Sequence, residues 1–234
     1  MSEGPHVRPS LHPSFPLAYK QTSRVVINAQ SPAPHRGRRS RGYLPHWDHP
    51  GMIQSLNFRL ADAMPQSVLE RWQVQLAADS DAIRAAELRR RVDEYLDAGY
   101  GACWLRKPEI AELVEAALFH FDAGRYGLLA WCVMPNHVHV VIETRIGFPL
   151  DTILHSWKSF TSHRANACLG RVGEFWQREY LDRYVRNAEH YERIINYVEE
   201  NPVKAALVKS RIDWPWSSAR FRFPGSAGVS LASG

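Results

Sequence analysis

Residues 134–143 read MPNHVHVVIE, and their alternation of apolar and polar residues is the strongest indication of the fold. The Pro-Asn pair at 135–136 is a turn former, and the residues after it alternate as in a β-strand. The even-numbered positions from 138 to 142 are apolar and would face a core. His137 and His139 would leave the other face of the strand, about 6.6 Å apart along the backbone. With the apolar run 126–134 before the turn, the pattern predicts a β-hairpin.

The elements on either side of the hairpin predict an α+β fold. They are a strand at 54–60, helices beginning near 65, 81 and 108, a helix at about 149–168, a strand at 175–185 and a helix at about 188–200 that ends before Pro202. In this order, four strands can form one antiparallel sheet with helices packed mainly on one face. The helices between the first strand and the hairpin would then form an insertion.

Charge and composition divide the chain into three parts. Residues 1–42 carry seven basic residues and one acidic residue and are rich in proline, which predicts a flexible basic arm. We assign residues 43–212 to one folded domain and residues 213–234 to a C-terminal tail that contains a Trp-Pro-Trp segment. The net charge of +5 is compatible with a polyanion partner or with a solubilising tail.

The composition also limits the class of protein. At 45% hydrophobic residues the chain can build a core, so wholesale disorder is excluded. No apolar run reaches the ~18 residues of a membrane-spanning helix, and the start of the chain has no apolar signal region. Three separated cysteines exclude a disulfide framework and a cysteine-based zinc site. These features predict a cytoplasmic protein with no membrane partner.

His137 and His139 are candidate ligands for a metal ion. Two imidazoles on one side of a rigid strand can converge on a single divalent cation, and neutral imidazole is the commonest metal ligand in proteins. The pair can also be an ordinary surface feature of a strand. The chain has no HExxH motif, and two ligands are too few for a metal site. At least one further ligand would have to come from elsewhere in the chain.

The helix that follows Asn187 carries a second candidate group. Its apolar stripe runs through positions 191, 194, 195 and 198. Tyr197 lies off that stripe, and Asn201 follows about one turn later on the same face. A phenol and an amide there can bring a nucleophile next to a metal-binding oxygen. Alternatively, Tyr197 is an aromatic residue at the edge of the stripe, and Asn201 only ends the helix.

Taken together, these stretches resemble the REP-associated tyrosine transposases, a branch of the IS200-like single-tyrosine transposases within the HUH nuclease group. The resemblance covers about residues 43–221 and rests on motifs in the family's order: MPNHVHVVIE, HSWKSFT, FWQREYLDRYVRN, YVEENPVKAALV and DWPWSS. It implies a ferredoxin-like, or RRM-like, sheet whose central strand carries the His pair. The long helical insertion and Asn136, where some relatives have Glu, depart from the family pattern.

The resemblance also implies roles for individual residues. His137 and His139 match the pair that binds Mg²⁺ or Mn²⁺, and Asn201 matches a polar residue that completes the metal shell. Tyr197 matches the nucleophilic tyrosine before the NPVK motif, with Tyr191 as a competing candidate. Five basic residues are candidates for contacts with DNA phosphates: Lys158, Arg164, Arg178, Arg183 and Arg186. Each of the five can equally belong to an ordinary solvated face.

The implied function is that of a single-strand DNA transposase or endonuclease. It would cleave and rejoin DNA near REP-like hairpins through a 5′-phosphotyrosine intermediate, acting as a monomer or homodimer at the nucleoid. One alternative is a DNA-hairpin-binding regulator without catalysis, which would leave the His pair without metal. Another is an unrelated metal hydrolase of small phosphoesters, whose activity would not depend on Tyr197.

Overall fold

The structure is a computed structural model that describes residues 48–222, His35, Gly37 and the backbone of two short strands. These strands, β1 (Arg39–Arg41) and β2 (Leu44–His46), pair with each other antiparallel. Most of the predicted flexible arm lies outside the described residues, as do residues 223–234 of the predicted tail.

Four strands form the main sheet, as the sequence predicts. They are β3 (Ile53–Arg59), β4 (Tyr126–Val133), β5 (His137–Thr144) and β6 (Leu181–Tyr184). The spatial order is β4-β5-β3-β6, and every neighbouring pair is antiparallel. This is the strand order of a ferredoxin-like sheet, so the predicted fold class is confirmed. The strand with the two histidines, β5, lies in the interior of the sheet.

The last strand is shorter than the sequence suggests. The alternation predicts a strand over 175–185, whereas only Leu181–Tyr184 pair with β3. The rings of Phe175 and Trp176 meet edge to face with centroids 5.0 Å apart. Neighbouring residues of a strand point to opposite faces, so this contact requires a non-strand backbone. Both rings are buried, and the segment ahead of β6 is therefore a packed loop.

The described residues form six α-helices. They are α1 (Gln66–Gln75), α2 (Asp81–Asp97), α3 (Pro108–His120), α4 (Leu150–Cys168), α5 (Ala188–Lys204) and the short α6 (Ala219–Arg222). The first three occupy the predicted insertion between β3 and β4. The prediction that α5 ends before Pro202 is wrong, because a proline in the last turn removes only one main-chain hydrogen bond. No helix in the described part of the chain is both long and apolar enough to span a membrane.

Helices cover both faces of the sheet, and each face has its own apolar core. On the first face, Phe58 of β3 stacks on Trp157 of α4 with ring centroids 6.2 Å apart, and α1, α2 and α3 join the same core. On the second face, Ile194 and Val198 of α5 pack against Val141 of β5. Side chains alternate along a strand, so the two histidines of β5 point to the same face as Val141, which is the α5 side of the sheet.

The chain after α5 runs back along β4 and covers that edge of the sheet. Trp214 Nε1 donates to the carbonyl of Val133 at 3.0 Å, and the backbone N–H of Ser218 donates to the carbonyl of Trp131 at 2.9 Å. The tryptophans of the Trp-Pro-Trp segment therefore pack onto the domain. Covering β4 in this way leaves fewer unpaired backbone groups at the sheet edge.

Candidate metal centre and nucleophile

His137 and His139 lie side by side on the α5 face of β5. The two residues are 0% and 2% exposed, and their Nε2 atoms are 2.9 Å apart. Ligands that share one small cation at about 2.1 Å each come to a similar separation when they lie at right angles around it. The structure therefore brings the predicted pair into a geometry that a single cation can bridge.

Asn136 fixes the orientation of His137. Its Nδ2 donates to the carbonyls of Leu96 and Tyr100 at 3.2 and 2.9 Å, which leaves Oδ1 as an acceptor. That oxygen lies 2.8 Å from Nδ1 of His137. Nδ1 consequently carries the proton, and the lone pair of Nε2 points toward His139. An amide that holds one nitrogen of a ligating imidazole in this way sets the tautomer needed for metal binding.

Both imidazoles are neutral at physiological pH. Burial, with a smaller contribution from the nearby charge of Lys204, lowers the pKa of His139 from 6.5 to about 3. Burial also lowers the pKa of His137 well below its usual 6.5, with smaller contributions from His139 and Arg59. A metal ion needs the neutral form of histidine. Neither ring would have to release a proton to bind one at pH 7.

Tyr197 of α5 stands over the histidine pair. Its ring meets the ring of His139 edge to face with centroids 5.5 Å apart, and Lys204 Nζ lies 4.3 Å from the centre of the phenol ring. The hydroxyl is buried and has no well-formed hydrogen bond among the described residues, although the Asp93 carboxylate is close enough to act on it. Burial and that negative charge raise the pKa of Tyr197 well above 10. The phenol is therefore protonated in this arrangement.

Asn201 contributes an acceptor oxygen about one turn after Tyr197. The side chain is fully buried, and its Nδ2 donates to the carbonyl of Tyr197 at 2.7 Å. Its Oδ1 has no partner among the described residues. The charges that act on Tyr191, the competing tyrosine, include Arg222 and Glu143. Glu143 lies near the end of β5 that is opposite the histidine pair. The structure therefore brings Tyr197, and not Tyr191, to the histidines.

Two carboxylates of α2 also reach this face of the sheet, and the sequence reasoning missed both. Asp93 Oδ1 accepts a hydrogen bond at 2.9 Å from Asn57 Nδ2, and Asn57 is directly opposite His139 in the sheet register. Asp97 Oδ1 lies 3.9 Å from His137 Nε2. Burial raises the pKa of each carboxyl group to about 6. Their i, i+4 spacing beside the apolar stripe of α2 is the signal that was available in the sequence.

The side chains at this site do not yet form a complete set of metal ligands in this arrangement. Within residues 48–222, no three His, Cys, Asp or Glu side chains are already gathered around a position that can hold a metal. Two neutral imidazoles are nevertheless aligned, and the buried Oδ1 atoms of Asn201 and Asp97 are without partners among the described residues. Buried acceptors without donors are costly unless a cation or a donor engages them. The residues present therefore fit a divalent cation held by two imidazoles and oxygen ligands.

Arg183 and Arg186 form a basic cluster with Arg89, which is not among the DNA contacts predicted from the sequence. Burial lowers the pKa of Arg183, and the positive charge of Arg186 lowers it further. Arg89 of α2, one turn before Asp93, is affected by both arginines. Positive charge is thus concentrated where α2 meets β6, and Arg89 also acts on Asp93, the carboxyl group close to Tyr197.

The other three predicted DNA contacts lie on or near α4. Lys158 Nζ donates to the carbonyls of Gln177 and Arg178 at 2.9 and 3.1 Å, and burial lowers its pKa to about 8. Arg164 and Arg178 are exposed. Lys158 already has protein acceptors, so the two exposed arginines are the freer of the three to bind a phosphate.

Part of this chain matches a known protein family. Residues 106–201, less than half of the chain, match the family model described as Transposase IS200 like, and this range includes the histidine pair, Tyr197 and Asn201. The chain is 30% identical over 89 residues to the REP-associated tyrosine transposase of Escherichia coli (strain K12). That alignment covers 38% of this chain and 52% of the relative, so the chain spans about half the length of this curated relative.

One of the solved structures that match this chain is that of a REP-associated tyrosine transposase bound to a REP hairpin. The two chains are 18% identical and superpose with a TM-score of 0.49. The alignment covers 80% of this chain and 92% of the other chain.

Proposed function

We propose that this chain, which is similar to the REP-associated tyrosine transposases of the IS200-like group, cleaves and rejoins single-stranded DNA through Tyr197. The observation that carries the proposal is the meeting of two distant segments. The Tyr197 ring lies 5.5 Å from the ring of His139, and His139 Nε2 lies 2.9 Å from His137 Nε2. In this arrangement the phenol can act as a nucleophile at phosphorus, and the two neutral imidazoles can hold a cation that assists the displacement.

We assign His137, His139 and Asn201 as the residues that hold Mg²⁺ or Mn²⁺. Support comes from the facing Nε2 atoms, the neutral state of both rings and the Oδ1 of Asn201, which has no partner in the described part of the chain. When bound, the cation would offset the negative charge that builds up on the phosphate oxygens during the displacement.

Tyr197 would act as the nucleophile. Its oxygen attacks the phosphorus atom in line, the bond from phosphorus to the 3′-oxygen breaks, and the 3′-oxygen leaves with a proton as a hydroxyl group. The 5′-phosphate stays bound to Tyr197, which conserves the energy of the phosphodiester, so rejoining to another 3′-hydroxyl needs no nucleotide cofactor. Because the pKa of Tyr197 is raised in the protein alone, the phenol must lose its proton as substrate and cation engage the site.

The DNA would be held mainly by phosphate contacts. Arg183 and Arg186, together with Arg89, supply positive charge where α2 meets β6. Such contacts strengthen binding without reading sequence and make it depend on salt concentration. We propose a hairpin with a single-stranded flank as the partner and the nucleoid in the cytoplasm as the location, with the protein acting as a monomer or homodimer. The roles of Lys158, Arg164 and Arg178 remain predictions.

The direct test is formation of a covalent protein–DNA adduct. The protein is incubated with Mn²⁺ and a single-stranded oligonucleotide that contains a hairpin, and the products are separated on a denaturing gel. We expect an adduct with the wild type and with Tyr191→Phe, and none with Tyr197→Phe. Tyr191→Phe is the matched control because it removes a phenol oxygen from the same helix. An adduct that persists in Tyr197→Phe rejects the assignment of the nucleophile.

A DNA-hairpin-binding protein without catalysis is the second candidate. The raised pKa of Tyr197 favours it, because a phenol that keeps its proton is a poor nucleophile. This candidate predicts that the wild type binds the hairpin in a gel-shift experiment but gives no adduct with any divalent metal.

A further inference from the structure

The inserted helix α2 ends directly at the histidine pair. Asp97 is its last residue, and Asp97 Oδ1 lies 3.9 Å from His137 Nε2. The neighbouring residue Leu96 is 1% exposed and belongs to the first core, which anchors this end of the helix. The carbonyl of Leu96 also accepts a hydrogen bond from Asn136, the residue that orients His137. Asn136 therefore fixes the position of the end of α2 relative to the imidazole of His137.

The fold gives Asp97 little compensation for its charge. The side chain is 23% exposed, and its Oδ1 atom is buried with no hydrogen-bond partner among the described residues. The other charges acting on it include Asp93 and Glu94, which are negative, and Lys204, which is positive. A carboxylate that is largely removed from water without a partner destabilises a fold. Its position 3.9 Å from the neutral imidazole of His137 has a direct explanation if a cation binds there.

We propose that Asp97 is a ligand of the same divalent cation as His137 and His139, supplied by the inserted helix. This inference rests on the proposed function and adds a residue to its site. Ligands at right angles around one small ion are about 3.0 Å apart, so the carboxylate would need to approach His137 by only about 1 Å. A negatively charged oxygen ligand suits Mg²⁺ and Mn²⁺, which prefer carboxylates to imidazoles.

The inference can be tested by metal binding without any DNA. Mn²⁺ is titrated into the full-length protein, and its affinity is measured by calorimetry and by the loss of the free-ion signal in electron paramagnetic resonance. Asp97→Ala should raise the Kd by at least about tenfold, because removing even a residue that only orients a metal ligand typically costs about 10–100-fold in affinity. Asp81→Ala is the matched control, because it removes the charge of a 96% exposed carboxylate from the other end of the same helix. The control should leave the Kd of the wild type unchanged.

Folding is checked by thermal unfolding in EDTA. Asp97→Ala should unfold at or above the temperature of the wild type, since it removes an uncompensated charge and alanine favours the helix. Should this variant fail to fold, crystals of the wild type soaked in Mn²⁺ give an independent answer. An anomalous-scattering peak within bonding distance of both Asp97 and the histidines supports the inference, and a peak away from Asp97 overturns it.

The failure of this inference differs from the failure of the proposed function. If Asp97→Ala folds and binds Mn²⁺ as tightly as the wild type, Asp97 is not a ligand, while adduct formation through Tyr197 is unaffected. If the wild type neither binds Mn²⁺ nor forms an adduct with DNA, the proposed function is wrong and the inference is wrong with it.

Discussion

Replacing Asp93 by asparagine should stabilise the metal-free protein at neutral pH. Burial raises the pKa of Asp93 from 3.8 to about 6. One pKa unit corresponds to about 1.4 kcal/mol, so ionising this group in the folded protein costs about 3 kcal/mol more than in the unfolded chain. The amide in Asp93→Asn keeps an oxygen that can accept the hydrogen bond from Asn57, so that contact does not have to be lost.

The sign of the effect depends on pH in a defined window. Between pH 3.8 and about 6, the folded protein holds a proton on Asp93 that the unfolded chain has released. The free energy of unfolding contributed by this group therefore falls as the pH rises through the window. Asp93→Asn does not titrate at this position, so its advantage over the wild type should be near zero at about pH 3.5 and reach about 3 kcal/mol by pH 7.

Urea unfolding in EDTA, followed by circular dichroism at a series of pH values, measures this difference. Glu94→Gln is the control, since Glu94 is an exposed carboxylate on the same helix. A difference between Asp93→Asn and the wild type that does not change with pH would refute the reasoning. A pH-dependent difference would mean that the protein keeps a charge beside Tyr197 at a cost in stability, as is common for groups that serve function.

Three further substitutions test packing and backbone geometry elsewhere in the fold. Phe58→Ala should lower the free energy of unfolding by about 3–5 kcal/mol in urea titrations, because Phe58 is 1% exposed in the first core. A measured loss below about 1 kcal/mol would contradict that packing. Gly101→Ala should cost more than about 1 kcal/mol and lower the Tm, because Gly101 has φ +86° and an added Cβ would lie 2.7 Å from the carbonyl oxygen of Asp62; an unchanged Tm would show that the backbone can relax there. Arg222→Ala should cost about 3 kcal/mol, because it removes a partner of the buried Glu199 carboxylate, and adding Glu199→Gln should recover part of the loss in the same assay.

Two local predictions from the sequence are wrong for tertiary reasons. A strand over 175–185 has a suitable alternation, yet the contact between Phe175 and Trp176 requires a loop in the first half of that range. Pro202 is a helix breaker in general, yet α5 continues to Lys204 because its last turn loses only one hydrogen bond. In the first case, the packing of two buried rings outweighs a local strand preference that is small in energy.

The amino-acid sequence predicts the relation between residues that are close along the chain. The alternation of a strand puts His137 and His139 on one face, and the periodicity of a helix puts Tyr197 and Asn201 on another. The packing of α5 on the histidine side of the sheet, and of α2 where it brings Asp93 and Asp97 to the same place, is seen only in the folded chain. The dihedral preferences of a regular element act over one or two turns, whereas contacts between distant elements depend on which apolar faces pack together.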